Sequence, residues 1–301
     1  MTRIQLKKLL TPRAPAIPAL TVAADLSDQP TQKLQKFLAD HGLGSRREME
    51  RCILDGQVTV NGKVAHQGQR IGVSDRVEFN GKRIAKTDSS SQARVLVMNK
   101  APGQIVSRKR DSHHRVTVFD QLPKLNNQRW ISVGRLDVAT SGLLLFTNNG
   151  LLAHRLMHPS FVIDREYAVR VFGTLSEEQQ KACLEGVELE GVLHRFSDIQ
   201  YYGGTGSNHW YHVVLMEGRN REIRRVFERL GLTVSRLKRV RFGPVILPTR
   251  LRVGNYLEVS GSDVCALKRW LGVDFKPLSK PKSEKRESCL IDYPGLNLDL
   301  S

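Results

Sequence analysis

The chain has 301 residues, with 47 Lys and Arg against 30 Asp and Glu, a net charge of +17 and a pI near 10. No apolar run approaches the roughly eighteen residues of a membrane span. Four scattered cysteines without a Cys-x-x-Cys pair argue against a disulfide scaffold or a zinc ribbon and point to a reducing cytoplasm. The charge implies a polyanionic partner, nucleic acid first, without separating a binder from an enzyme.

Residues 1–30 hold Arg3, Lys7, Lys8 and Arg13, scattered Pro and Ala, and no acid before Asp25. They read as a disordered basic arm rather than an organelle leader, because Arg is sparse and the apolar pattern is poor. From Thr31 the pattern tightens. Thr31 is placed to cap a short helix carrying Leu34, Phe37 and Leu38, and Ser45-Arg46-Arg47-Glu48 is a capping box opening a second helix. Two Asn-Gly pairs, Asn61-Gly62 and Asn80-Gly81, each follow alternating apolar residues and predict two hairpins. Residues 31–90 thus form a small α+β module. Its polar helical face carries Lys33, Lys36, Arg46, Arg47 and Arg51.

Lys86 to Gln92 reads as a serine-rich linker, and a larger domain occupies residues 92–273. Its strand-like runs are Val95–Met98, Leu143–Phe146, Tyr167–Phe172 and Tyr211–Met216. A capping box at Ser176 opens one helix, and another runs from Asn220 to Leu230 with Gly231 as its stop. Strands outnumber helices with no regular βαβ alternation, so the fold class is α+β with a mixed, mainly antiparallel sheet. Residues 274–301, rich in Lys, Ser, Pro and Glu, read as a disordered tail.

The charge is concentrated. Between Arg219 and Arg241 there are nine basic residues and two acids. Arg221, Arg225 and Arg229 are four apart and line one face of the predicted helix, and Arg236, Lys238 and Arg239 continue the bias on a following strand. Two adjacent basic elements make a surface able to neutralise several phosphates.

The run Gly134-Arg135-Leu136-Asp137-Val138-Ala139-Thr140-Ser141-Gly142 is the candidate site. If residues 133–137 are extended, Arg135 and Asp137 project to one side, and Thr140-Ser141 form a turn before an apolar strand. Taken alone, an Arg-x-Asp is weak, and a structural ion pair is the favoured explanation. His154 and His158 have ligand spacing on a helix but no third ligand, which favours a surface or packing role over a metal site.

With its continuation, this run resembles the signature of the RNA pseudouridine synthases that act on small-subunit rRNA and of their large-subunit relatives. The similarity extends through Leu156–Ser160, Arg165–Val169, Glu217–Arg225, Ser235–Leu237 and Gly243-Pro244. Residues 31–84 resemble the S4 RNA-binding module that precedes that catalytic domain. Three stretches resemble the members that modify large-subunit rRNA: Val118–Lys124, Gly203–Tyr211 and Asn220–Arg225. The resemblance implies a uridine of 23S rRNA, conventionally numbered 2605, presented on free RNA or on an assembly intermediate of the large subunit. It implies no cofactor and no metal, no membrane, a cytoplasmic location and, by default, a monomer. Two departures stand out. Lys100-Ala101-Pro102 replaces the usual Lys-Pro, and the loop Arg108–Val116 is longer than the family pattern.

By position, the resemblance makes Asp137 the catalytic carboxylate, Tyr167 the aromatic that stacks on the target base, and Arg224 the partner of the carboxylate. Arg135 and the basic residues named above, Arg219 among them, then contact RNA. A carboxylate serves as base or nucleophile while ionised, and a neighbouring guanidinium favours that form. Attack at C1′, attack at C6 and removal of the C2′ proton all remain open. The rival readings are the same chemistry on another rRNA uridine, or a non-catalytic ribosome-associated RNA-binding protein.

Overall fold

A computed structural model describes residues 31–84, 93–126, 128–273 and 288–296. The basic arm, the linker and residues 274–287 and 297–301 lie outside these.

The first unit contains β1 (Gln32–Lys33), α1 (Leu34–Asp40), α2 (Arg46–Leu54), β2 (Val58–Val60), β3 (Lys63–Val64), β4 (Arg70–Ile71), β5 (Val77–Phe79) and β6 (Lys82–Arg83). Both Asn-Gly pairs take positive φ, 53° and 79° in the first and 48° and 72° in the second, and join β2 to β3 and β5 to β6. Ser45 and Glu48 complete the capping box of α2. Thr31 does not cap α1. Residues Gln32 and Lys33 pair with Ile71 and Arg70, and the Thr31 hydroxyl accepts a hydrogen bond from Arg70 Nε instead. Lys33 therefore sits on a strand, exposed, rather than on the helical face. Leu34, Phe37, Leu38, Met49, Ile53, Val58 and Val77 bury the apolar faces together.

The second unit runs β7 (Val95–Lys100), β8 (Ile131–Val133), β9 (Ser141–Thr147), α3 (Gly150–Met157), β10 (Arg165–Phe172), α4 (Glu177–Glu185), β11 (Val187–Leu189), β12 (Val192–His194), β13 (Asp198–Thr205), β14 (Asn208–Leu215), α5 (Glu222–Arg229), β15 (Thr233–Phe242), β16 (Val245–Ile246), β17 (Tyr256–Glu258) and α6 (Gly261–Trp270). Nine of these strands share one sheet in the order β13-β14-β10-β15-β9-β7-β17, with β8 on β9 and β16 on β15. Its one parallel pairing, β15 with β9, sits in the middle, where Lys238 and Arg239 face Ser141 and Gly142. Gly142 has φ +100°, and a Cβ there would strike the Arg239 carbonyl and lie 2.8 Å from its nitrogen. That close approach sets the spacing of the two strands.

Two apolar clusters fill the sheet's faces. One holds Leu136, Leu144, Tyr167, Val169, Tyr211, Ile223, Val226 and Phe227. The other holds Val95, Val97, Leu143, Leu145, Phe242, Leu267 and, from the C-terminal segment, Cys289, Leu290, Tyr293 and Leu296. Residues 288–296 are thus a packed strap rather than part of a disordered tail. Leu290 bridges Val245, Trp270 Nε1 donates to the Pro294 carbonyl, and the Tyr293 hydroxyl donates to Asp164 at 2.7 Å. Asp164 and Glu166 flank Arg241 at 2.8 and 2.9 Å, and His212 Nδ1 donates to Glu166 at 2.6 Å. Cys289-Leu290, Tyr293 and Leu296 form a short apolar cluster in the sequence, but the Lys-, Ser- and Pro-rich residues before it dominate the composition of the tail and obscured it.

Tyr293→Phe is expected to cost about 1–3 kcal/mol, because a buried carboxylate oxygen loses its donor. Thermal unfolding should register this as a drop of several degrees. Burial tends to raise the Glu166 carboxyl, but hydrogen bonds from His212 and Arg241 outweigh it and hold it below its ordinary 4.5. That contribution is complete above pH 4.5 and lost as pH falls further. The acid side of the stability curve should be flatter in Glu166→Gln than in the native chain.

Candidate active site

Strand β8 ends at Val133, and Gly134 turns the chain at φ +75°. Arg135 and Asp137 therefore do not share an extended strand as the sequence pattern implied. Residues 137–140 form a turn closed by the Thr140 N–H on the Asp137 carbonyl at 3.0 Å, and Gly103 N–H holds the Val138 carbonyl at 2.8 Å. Leu136 is buried, Arg135 is exposed, and Asp137 between turn and cluster is half-buried.

The turn is anchored from below by Lys100, the last residue of β7, which is wholly buried. Its Nζ donates to the carbonyls of Thr140, Ala101, Asp137 and Val138 at 2.8, 3.0, 3.2 and 3.4 Å. Burial pushes this ammonium down to about 8, with the Asp137 charge opposing the shift. In the sequence, Lys100 stands out only as a departure in spacing. A lysine closing the apolar strand Val95–Met98 was the available signal, since a buried cation must have oxygen partners.

From the other side comes Arg224. It forms no salt bridge with Asp137 among the described residues. Its fork donates to the Val234 carbonyl at 2.8 Å and to the Ala139 carbonyl at 3.3 Å. Burial and the nearby Arg221 lower its guanidinium, and the Asp137 charge acts against them. The expected direct pair is thus replaced by a bridge from β15 to the turn, within electrostatic range of the carboxylate. Among the described residues, Thr140 Oγ1 and Arg224 Nε are buried without a hydrogen-bond partner.

Helix α5 presents Arg224, and its start is fixed by Glu222. This acid is buried, accepts from His194 at 3.0 Å and from the Arg219 N–H at 3.1 Å, and is no solvated counter-charge. Arg221 precedes the helix with φ +50°, outside the predicted arginine row, while Arg225 pairs with Glu190 at 2.9 Å and Arg219 with Glu217 at 2.7 Å. Arg221, Arg229 and Arg236 are exposed, and Lys238 is half-buried. Arg239 is different. It is 2% exposed, donates to the Leu143 carbonyl at 2.7 Å and packs on Phe242, so it is a strand-pairing residue rather than an RNA contact. Tyr167, facing Arg239 across β10 and β15, is 7% exposed in the same cluster as Leu136.

On the first unit, Arg46, Arg47 and Arg51 are exposed along α2, and Lys36 lies 3.8 Å from Asp40. His158 caps the turn after α3 and bonds Ser160, consistent with a local role. No group of three or more His, Cys, Asp or Glu able to hold a metal occurs among the described residues, and none of their helices is long and apolar enough to cross a membrane.

The arrangement places a carboxylate on a turn braced by the buried Lys100 and by Arg224 of an arginine-rich helix, with Tyr167 in the apolar cluster that holds the neighbouring Leu136. A family model described as RNA pseudouridylate synthase matches residues 94–229, and one described as S4 domain matches residues 32–77. Ribosomal large subunit pseudouridine synthase B of Vibrio cholerae is 51% identical over 231 residues, covering 76% of this chain and 72% of its own. The chain belongs to the RNA pseudouridylate synthase family. The protein of the same name from Pseudomonas aeruginosa is 52% identical over 252 residues, 83% of this chain, and the chain spans 64% of that relative's length. A crystal structure of a pseudouridylate synthase superposes with a TM-score of 0.54 at 26% identity, over 78% of this chain and 99% of that one.

Lys100→Met keeps the bulk of the side chain but removes the shared donor of four carbonyls. Amide exchange at Gly103 and Thr140, whose N–H groups close the turn, is expected to quicken by an order of magnitude or more, about 1.4 kcal/mol per tenfold. Amides of helix α4, which packs against the edge strand β13, should keep their protection.

Proposed function

We propose that the chain converts a uridine of large-subunit rRNA to pseudouridine, with uridine 2605 of 23S rRNA as the target. In this reading Asp137 is the essential carboxylate, Tyr167 the stacking aromatic, and the enzyme acts in the cytoplasm. The observation that carries the assignment is the double bracing of the Asp137 turn, by Lys100 beneath it and Arg224 beside it. Holding both through main-chain carbonyls leaves the carboxylate oxygens uncommitted, as a group that must meet a sugar or a base requires. The names of the relatives support the choice of large-subunit rRNA.

The isomerisation breaks the N1–C1′ bond, turns the uracil and joins C5 to C1′; the C5 proton then leaves and N1, freed from the sugar, takes up a proton. Nothing is gained or lost overall. The protein's task is to hold a carboxylate against the nucleoside and to retain the base while it is detached. A uridine leaving a folded RNA loses a few kcal/mol of stacking and pairing, and an aromatic face offsets part of that. The exposed cations Arg135, Arg221, Arg229 and Arg236, with Arg46, Arg47 and Arg51 of the first unit, supply phosphate contacts that position the RNA.

Asp137→Asn should abolish pseudouridine formation, by three or more orders of magnitude, while RNA affinity stays within about threefold. Base-resolution mapping of rRNA from a strain lacking the chain, complemented by each form, reads both the activity and the target. Conversion restored by Asp137→Asn would end the assignment, and loss of pseudouridine at another position alone would move the target. Among the arginines, Arg221→Gln or Arg229→Gln should weaken binding and reduce the slope of log K against log salt by about 0.7–0.9 per lost phosphate contact. Arg224→Gln should leave that slope nearly intact and chiefly lower turnover.

A further inference from the structure

The Gly203–Tyr211 stretch stands out in the sequence, yet nothing in the proposed chemistry uses it. It forms the hairpin of β13 and β14 at the edge of the large sheet. Side chains alternate along these strands. Tyr167, Val169, Val171, Tyr211 and Val213 point into the cluster beneath α5. Their neighbours occupy the opposite face, where Arg170 lies across from Trp210 and Arg236, and Ala168 across from His212 and Lys238.

This opposite face has two halves. Around Asp164, Glu166 and Arg241 it is closed by the C-terminal strap through Tyr293. Beyond His212 it is partly open, with Tyr202 exposed and Arg170, Trp210 and His212 half-buried. There Tyr202 stacks on His212 with centroids 4.6 Å apart and planes at 26°, and the Arg170 guanidinium lies over Trp210 at 6.0 Å. Arg170 is steadied by Ser235, to which its Nε donates at 2.9 Å. Tyr202 is 47% exposed and Phe172 62%. Of the acids on this face, Glu166 is consumed by Arg241 and His212, and Asp198 lies at the other end, opposite Val214.

An exposed ring beside half-buried ones, set between guanidinium and ammonium groups, suits a strand whose bases offer π-faces and whose backbone is anionic. A protein partner of comparable fit would need a run of acids threaded with apolar side chains. The chain's own segment between Val273 and Ser288 has five basic residues against three acids, the wrong sign for this face. We propose that the outer face of β10, β13, β14 and β15, centred on Tyr202, Trp210, Arg170 and Arg236, is a second RNA-docking surface that takes an unpaired stretch of the substrate RNA away from the target uridine. The proposal rests on the reading of the chain as an RNA-modifying enzyme. It adds a binding site on the side of the sheet opposite Tyr167.

The test uses the full chain with a short single-stranded RNA of mixed sequence and, separately, a large-subunit rRNA fragment carrying photoactivatable uridines. Tyr202→Ala with Trp210→Ala should weaken binding of the short strand roughly tenfold, as expected for lost stacking. Tyr202→Phe with Trp210→Phe keeps the rings and should bind like the native chain, which separates lost stacking from a disturbed hairpin. Crosslinked peptides from the native chain should include residues 202–212. Unaltered affinity of the alanine variant, equal weakening by the phenylalanine variant, or crosslinks confined to the Asp137 side would each overturn the proposal. The crosslinks should persist in Asp137→Asn. If that variant retained full conversion while crosslinking at Trp210 remained, the catalytic assignment would fall and the docking surface would stand.

Discussion

A lysine ammonium cannot be left in an apolar interior without oxygen atoms around it, and Lys100 is completely enclosed at the end of β7. The oxygens it takes are main-chain carbonyls of one turn, residues 137–140, and of its own neighbour Ala101. The ion thereby fixes the path of the chain through the candidate site. Side-chain ligation would have consumed the Asp137 carboxylate. Carbonyl ligation leaves it free, and Arg224 follows the same logic by donating to Ala139.

The middle of the sheet depends on a second constraint of the same kind. The parallel pairing of β9 with β15 brings the backbone of Arg239 against Gly142, too close for any other residue. Arg239 then turns back on the sheet, bonding the Leu143 carbonyl instead of reaching solvent. Both faces of β10 are tied to this pairing. On one lies Tyr167, and on the other Glu166, whose bonds to Arg241 and His212 continue through Asp164 to the Tyr293 hydroxyl. The C-terminal strap is therefore a structural member of the catalytic unit, and the net charge of the basic segment overstates the charge available to RNA.

Where sequence patterns describe local chemistry, they matched the structure closely. The capping boxes at Ser45 and Ser176, the two Asn-Gly hairpins, and the stop of α5 before Gly231 are decided within a few residues by hydrogen bonds and allowed dihedrals. The α+β class and the long strands were equally legible, because continuous apolar runs mark β7 and β9, buried on both faces, and alternation marks β10 and β14. Thr31 failed as a cap because a distant pairing, Gln32 with Ile71, claimed the backbone ahead of the helix. The Asp137 run was legible as a motif, but its extended geometry was not, since Gly134 bends the chain there.

Residue order alone is enough to say which family the chain resembles, where most of its helices and hairpins begin, and that its charge favours a polyanionic partner. It is not enough to say which cations are used internally, and there the packing of distant strands is decisive. Arg239, Arg241 and Lys100 look in the sequence like the exposed Arg221, Arg229 and Arg236, yet they are spent on carbonyls and carboxylates up to 96 positions away. The reason is physical. A charge's role depends on whether water or protein surrounds it, and that is set by which strands come together.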